Sequence, residues 1–181
     1  AGALRGPDPA DAPLTAGASD VLIQHLAIRV GDRPQGTNPD VRDSLKIEVS
    51  NPINNVVFDH CSISWAVDEN VSIYKDWNNV TISNSIISEP LYDSIHPSGP
   101  QGNAALVFTN TQNSRITFVG NLFAHGKGRN PRTAASDFVF VNNVVYNPGN
   151  SGVMLFNVNG VTSDNAIVGN VFVDGPNTRA R

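Results

Sequence analysis

The chain has 181 residues, of which 40% are hydrophobic and 15% charged, and its net charge is −4. That balance suits one domain with its own core and argues against disorder and against nucleic acid as a partner, which favours a basic surplus. A single cysteine, Cys61, excludes an intrachain disulfide. No apolar run approaches the ~18 residues of a membrane-spanning helix.

Residues 1–19 are rich in Gly, Pro, Ala and Asp and lack periodicity, so they read as coil or a partial first turn. From residue 20 one short pattern recurs. It is DVLIQHLAI from Asp20, NVVFDHCSI from Asn55, NVTISNSII from Asn79, RITFVGNLF from Arg115, DFVFVNNVV from Asp137 and DNAIVGNVF from Asp164. Each copy starts polar, alternates β-branched and aromatic residues, carries a small or polar residue near its sixth or seventh position, and ends apolar. This is strand chemistry at period two, punctuated by turn formers, and no stretch shows a helical apolar face.

The successive starts lie 35, 24, 36, 22 and 27 residues apart. Short strands repeated at periods of about 20–50 residues indicate a solenoid. The expectation is an all-β parallel β-helix over residues 20–181, with about seven coils of roughly 25 residues each. Equivalent residues would then stack about 4.8 Å apart. Asn121, Asn143 and Asn170 share one repeat position, and Asn84 and Asn142 share the one before it. Stacked inside a bend, such residues would satisfy one another and the turn backbone, groups that are costly to bury unpaired. The two longest intervals need a loop excursion, an extra strand or both, and function on a rigid solenoid concentrates in excursions.

Two constellations carry candidate chemistry. Asp68 and Glu69 are adjacent carboxylates in VVFDHCSISWAVDEN, and Asp43, in VRDSLKI, lies one coil earlier. Stacking would bring Asp43 and Asp68 to one face as an oxygen-rich site for Ca²⁺, whereas no His/Cys spacing points to zinc. Solvated loop carboxylates would leave the same trace. The second constellation is a loop with Lys127, Arg129 and Arg132, stiffened by Pro131; in an acidic chain it suits an anion. His25 and His60 share a repeat position and are expected to stack structurally, while His96 and His125 fall in excursions and are expected to contact substrate. Cys61 reads as a small buried residue. Trp65, Trp77, Tyr74 and Tyr92 offer faces to sugar or to the core.

FDHCSISW (58–65), NNVTISNSII (78–87), and RNPR followed by FVFVNNVVYN (129–132 and 138–147) together resemble family 1 polysaccharide lyases, the pectate lyase-like enzymes, in the manner of their bacterial branch. The likeness covers roughly residues 20–150. It implies a right-handed parallel β-helix with three sheets, here without a legible terminal cap. It also implies eliminative cleavage of α-1,4-galacturonan, with Ca²⁺ bridging enzyme carboxylates and the substrate uronate. By this resemblance Arg129 is the catalytic base, and Asp43 and Asp68, with Glu69 beside them, hold the metal. Arg132, Lys127, His96 and His125 are then the residues that bind the acidic polysaccharide. The implied protein is a secreted or periplasmic monomer with no nucleic-acid or membrane partner.

The chain departs from the family pattern at three places. Ser72 stands where a further calcium-binding Asp is expected, and Ala134 where a second Arg is expected. No lysine occupies the excursion before residue 100, where His96 is the nearest counterpart. Two other readings stay open. One is a non-catalytic glycan-binding β-helix. The other is a β-helix glycoside hydrolase with paired carboxylates, against which Asp68 and Glu69, as strand neighbours, are expected to point apart.

Overall fold

A computed structural model describes residues 12–33, 38–48, 51–158 and 160–179 together with the backbone of Ala3–Leu4, so residues 1–2 and 5–11 of the 1–19 segment lie outside the described residues. The chain winds as a right-handed parallel β-helix. Each coil lays one short strand in each of three sheets. Sheet 1 contains Leu14–Thr15, Leu45–Glu48, Glu69–Tyr74, Asn103–Val107, Arg132–Thr133 and Met154–Leu155. Sheet 2 contains Val21–Gln24, Ile53–Asp59, Trp77–Ser83, Arg115–Val119, Asp137–Val141 and Asp164–Val168. Sheet 3 contains Ala3–Leu4, Ala27–Arg29, Ser62–Ser64, Ile86–Ser88, Leu122–Ala124, Val144–Tyr146 and Val171–Val173. Six complete coils are therefore described, close to the seven that chain length allows. Among the described residues the only helical segment is a 3₁₀ turn, Pro39–Val41.

The six sequence repeats all fall in the same place, the sheet 2 strand and the corner into sheet 3. Val21 pairs with Val56, Val56 with Val80, Val80 with Ile116 and Ile116 with Phe138. Alternate residues of these strands point inward, so Val56, Phe58, Ile82, Phe118, Phe138 and Phe140 are buried in one continuous stack. Phe118 meets Phe123 edge-on at 5.6 Å and Phe140 at 6.2 Å. The last coil exposes Ile167 and Phe172, the counterparts of buried Phe140 and Val145 one coil earlier.

The asparagine row forms as a ladder. Asn121 Oδ1 accepts from the Ser85 amide at 2.9 Å, Asn143 Oδ1 from the Asn121 amide at 2.9 Å, and Asn170 Oδ1 from the Asn143 amide at 2.8 Å. Their side-chain amides donate to Ile82, Phe118 and Phe140 carbonyls. The row before it turns the corner at positive φ: His25, His60, Asn84, Gly120, Asn142 and Gly169. At Gly169 a Cβ would meet Asn142 Oδ1 at 2.4 Å, so glycine is needed both for the turn and for the space. His25 and His60 rings lie 5.3 Å apart, as the shared position predicts, and Cys61 is buried.

Asp59 ties three coils together at this corner. Its carboxylate accepts from Gln24 Nε2 at 2.8 Å, Ser83 Oγ at 2.7 Å and Asn84 Nδ2 at 2.9 Å, and His60 Nδ1 lies 2.7 Å away. These donors, Ser83 foremost, hold the carboxyl far below the usual range.

Two tests follow from the corner. Asn143→Ala removes a fully buried amide, takes its side-chain donor from the Phe118 carbonyl, and removes the Oδ1 that accepts from the Asn121 backbone and side-chain amides. Urea unfolding should show a loss of about 2–4 kcal/mol, and a loss below about 0.5 kcal/mol would show the ladder to be dispensable. Asp59 has a depressed folded pKa, so its contribution is present above the unfolded value near ~4 and lost as pH falls through the folded one. The melting temperature gap between wild type and Asp59→Asn should be constant above about pH 5 and shrink below about pH 4.

Candidate active site

The turns from sheet 3 into sheet 1 vary in length and carry the chemistry. Among the described residues they include 30–33 with 38–44, 65–68, 89–102, 125–131 and 147–153. Backbone pairing continues through them. The Ser44 amide donates to the Glu69 carbonyl at 3.1 Å and the Val67 amide to the Arg42 carbonyl at 3.1 Å. Asp43 therefore comes directly beside Glu69, whose amide donates to Asp43 Oδ1 at 3.1 Å.

Asp43, Asp68 and Glu69 form one cluster, with a carboxylate oxygen from each lying within 4.8 Å of the others. Asp43 and Glu69 are each only 2% exposed. The expectation that Asp68 and Glu69 diverge is corrected here. Asp68 is the last residue of the turn and Glu69 the first of the strand, so the alternation that separates strand neighbours does not apply. Burial, and next the charge of Asp68, push the Asp43 carboxyl well up; Lys46, its ammonium 3.9 Å from Asp43 Oδ2, and then the Ser72 hydroxyl oppose the rise. Burial also raises Asp68, against the pull of Arg129 and of His96, while the Asn103 side chain hydrogen-bonds it.

Arg129 reaches this cluster from the turn 125–131. Its Nη1 pairs with Glu69 Oε1, an oxygen that forms no hydrogen bond. Burial lowers the Arg129 pKa, Asp68 opposes the shift, and Arg132 adds to it. The Arg129 backbone is pinned. Its carbonyl accepts from the Ala105 amide at 2.8 Å, and the Asn130 amide donates to the Gly152 carbonyl at 3.2 Å. The buried Asn130 side chain donates to Gly126 and Ser151 carbonyls at 3.1 and 2.8 Å. The Asn130–Pro131 peptide is cis.

The remaining expected residues surround this centre unequally. His96 lies close enough to bias Asp68, and its Nδ1 accepts from the Ser98 amide at 3.1 Å. Arg132 stands on the outer face of sheet 1 with its guanidinium 4.5 Å from the Phe156 ring centre. Lys127 is turned to Tyr92, its ammonium 4.8 Å from that ring centre. His125 is occupied by Asn147, 2.9 Å from Nδ1, and by the Tyr146 ring at 5.2 Å. Ser72 and Tyr92 thus belong to the site neighbourhood, and so does Asn103, which sequence reasoning missed. Asn103 has one signal in the fold, since it pairs in register with Glu69.

No protein-family model matches this chain. Its sequence is similar to pectate lyases. Proteins named probable pectate lyase C from Aspergillus fumigatus and Aspergillus flavus are each 34% identical to it over 161 residues, 89% of this chain and 34% of theirs. One of the same name from Emericella nidulans is 31% identical over 161 residues, 89% of this chain and 33% of its own length. The chain thus spans about a third of the length of the curated relatives it matches. These relatives are fungal and lend no support to the expected bacterial affinity.

The donor set suits a hard divalent cation. It consists of carboxylate oxygens only, two of the three residues are almost sealed from water, and Glu69 Oε1 has no hydrogen bond to lose. Without such a cation the raised Asp43 carboxyl is a liability to the fold. A raised folded pKa gives stability that is full below the unfolded value and is lost as pH rises through the folded one. Chelator-treated wild type should therefore melt at lower temperature as pH rises from about 4 towards neutrality. Asp43→Asn should flatten that slope. Parallel pH profiles for the two proteins would contradict the assignment.

Proposed function

We propose that this chain carries the catalytic face of a pectate lyase-like enzyme that cleaves uronate-containing polysaccharide, polygalacturonate foremost, by β-elimination outside the cell. The observation that carries this reading is the convergence of a half-buried arginine with three carboxylates, Asp43 from one coil and the neighbours Asp68 and Glu69 from the next. The similarity to proteins named pectate lyase supports the reaction class. Among the described residues no helix is long and apolar enough to cross a membrane.

Elimination requires loss of the proton at C5 of a uronate, next to its carboxylate, and departure of the oxygen at C4. Calcium, held by Asp43, Asp68 and Glu69, would spread the negative charge that develops on the uronate carboxylate as that proton leaves. Arg129 is the base in this reading. Guanidinium is a poor base because its pKa lies above about 12 in water. Burial in the turn, reinforced by the Arg132 charge, favours the neutral form that can accept a proton. The pinned Arg129 and Asn130 backbone fixes where that side chain starts, which limits the motion needed to reach C5. The proton passes from C5 to the neutral guanidine, the C4–O bond breaks, and the departing oxygen takes a proton from the guanidinium or from water.

Arg132, Lys127, His96 and His125 are assigned to polymer binding. Arg132 and His96 flank the carboxylate cluster and can take uronate carboxylates or ring hydroxyls. Lys127 and His125 lie on the same row of turns and would contact sugars further along the chain. The protein is read as acting as a monomer.

The test is formation of unsaturated uronate, followed by its ultraviolet absorbance, on a panel of uronans with calcium and with chelator. Activity should need calcium and rise through the alkaline range as the neutral guanidine becomes populated. Arg129→Lys and Arg129→Ala should lower kcat by about 10²–10⁴-fold with circular dichroism unchanged, the range a positioned base supplies. Near wild-type turnover in Arg129→Ala would reject the assignment. Reducing ends without unsaturation would point to hydrolysis.

A further inference from the structure

Arg129 does more in this arrangement than wait beside a cation site. Its Nη1 occupies Glu69 Oε1, one of the oxygens of the carboxylate cluster, and that oxygen receives no hydrogen bond from any other group among the described residues. Glu69 is sealed from water, so a positive charge at Oε1 is what balances its carboxylate there. The Arg129 charge is also felt by Asp43 and Asp68. The guanidinium thus faces all three acids, with Lys46 Nζ a further cation 3.9 Å from Asp43 Oδ2 on the other side. The backbone on either side of it is held by the Ala105 and Gly152 bonds, so only the side chain is free to leave.

A divalent cation bound to the same oxygens would put two like charges in contact on Glu69 Oε1, in a setting with little water to screen them. Each therefore weakens the hold of the other on that oxygen. We infer that Arg129 is the resident counter-ion of the carboxylate site, and that a divalent cation binds by displacing its guanidinium from Glu69. This rests on reading Asp43, Asp68 and Glu69 as cation ligands. Arg129 then lowers the affinity of the site for the cation, and cation binding sets the guanidinium loose towards the substrate side. By linkage the two effects are one coupling seen from either end. A chain without the cation keeps its base tied to Glu69.

Calorimetric titration of the full chain with calcium alone, without substrate, tests this. Arg129→Gln should bind calcium at least tenfold more tightly than wild type. Arg132→Gln removes a charge close by that touches Phe156 and not the cluster, and it should tighten binding less than threefold. Unchanged or weaker binding in Arg129→Gln overturns the inference. So does equal tightening in both variants, which would reduce the effect to general charge. If Arg129→Gln does not fold, the Arg129 Nε–H resonance of the wild-type chain, assigned by its loss in Arg129→Lys, must shift along the calcium isotherm. A resonance that stays in place overturns the inference as well. Binding that is abolished by Asp68→Asn but indifferent to Arg129→Gln removes this inference and leaves the metal site standing. No calcium binding in any variant removes both.

Discussion

In-register hydrogen bonding between successive coils is the constraint on which the rest of this molecule depends. The pairing runs Val56 to Val80 to Ile116 to Phe138, although the chain between these residues varies from 22 to 36 positions. Extra chain is looped out at the turns and does not disturb the stack, because the ladder bonds and the inward phenylalanines set the register again in every coil. The corner between sheets 2 and 3 has no such freedom. Its asparagine ladder and the Asp59 network bond each coil to its neighbours through buried or saturated groups. Length varies at the other two corners, most at the turns into sheet 1, and the candidate site lies there.

The two sides also carry opposite energetic signs. At the corner, charge is well partnered: four donors surround Asp59 and hold it ionised. At the turns into sheet 1, three carboxylates are crowded; burial raises the Asp43 and Asp68 pKa values, and the Asp68 charge raises Asp43 further. A folded chain can hold such an arrangement only if other contacts offset it. The stacked core of Phe58, Phe118, Phe123, Phe138 and Phe140 and the polar ladder do so. Crowded like charge held in place by a rigid scaffold is also what a cation site requires.

Much of the architecture was legible because the sheet 2 strand and its corner repeat in chemistry as well as in place. Alternating Val, Ile and Phe marked the strand, and Asn121, Asn143 and Asn170 marked the bend. The sheet 1 strands were less visible. Arg132–Thr133 and Met154–Leu155 are two residues long and are held as strands by their neighbours, which no local pattern announces. In the site, Asp43, Asp68, Glu69 and Arg129 could be named from motifs and the resemblance they carry. The geometry by which Glu69 meets Asp68 could not, because it depends on a strand beginning one residue later than alternation assumes. Nor could the partners that hold the expected residues: Ser72 on Asp43, Asn103 on Asp68, Tyr92 under Lys127 and Asn147 on His125.

The amino-acid sequence by itself determined that this chain would coil. Period-two apolar residues and turn formers recurring at solenoid spacing leave few other ways to bury the one and satisfy the other. Only the tertiary structure decided which charges meet. That outcome depends on the length of each turn and on the register in which it returns to sheet 1. Register is set by hydrogen bonds to the neighbouring coils, so residues far apart along the chain come together at the distance between adjacent strands.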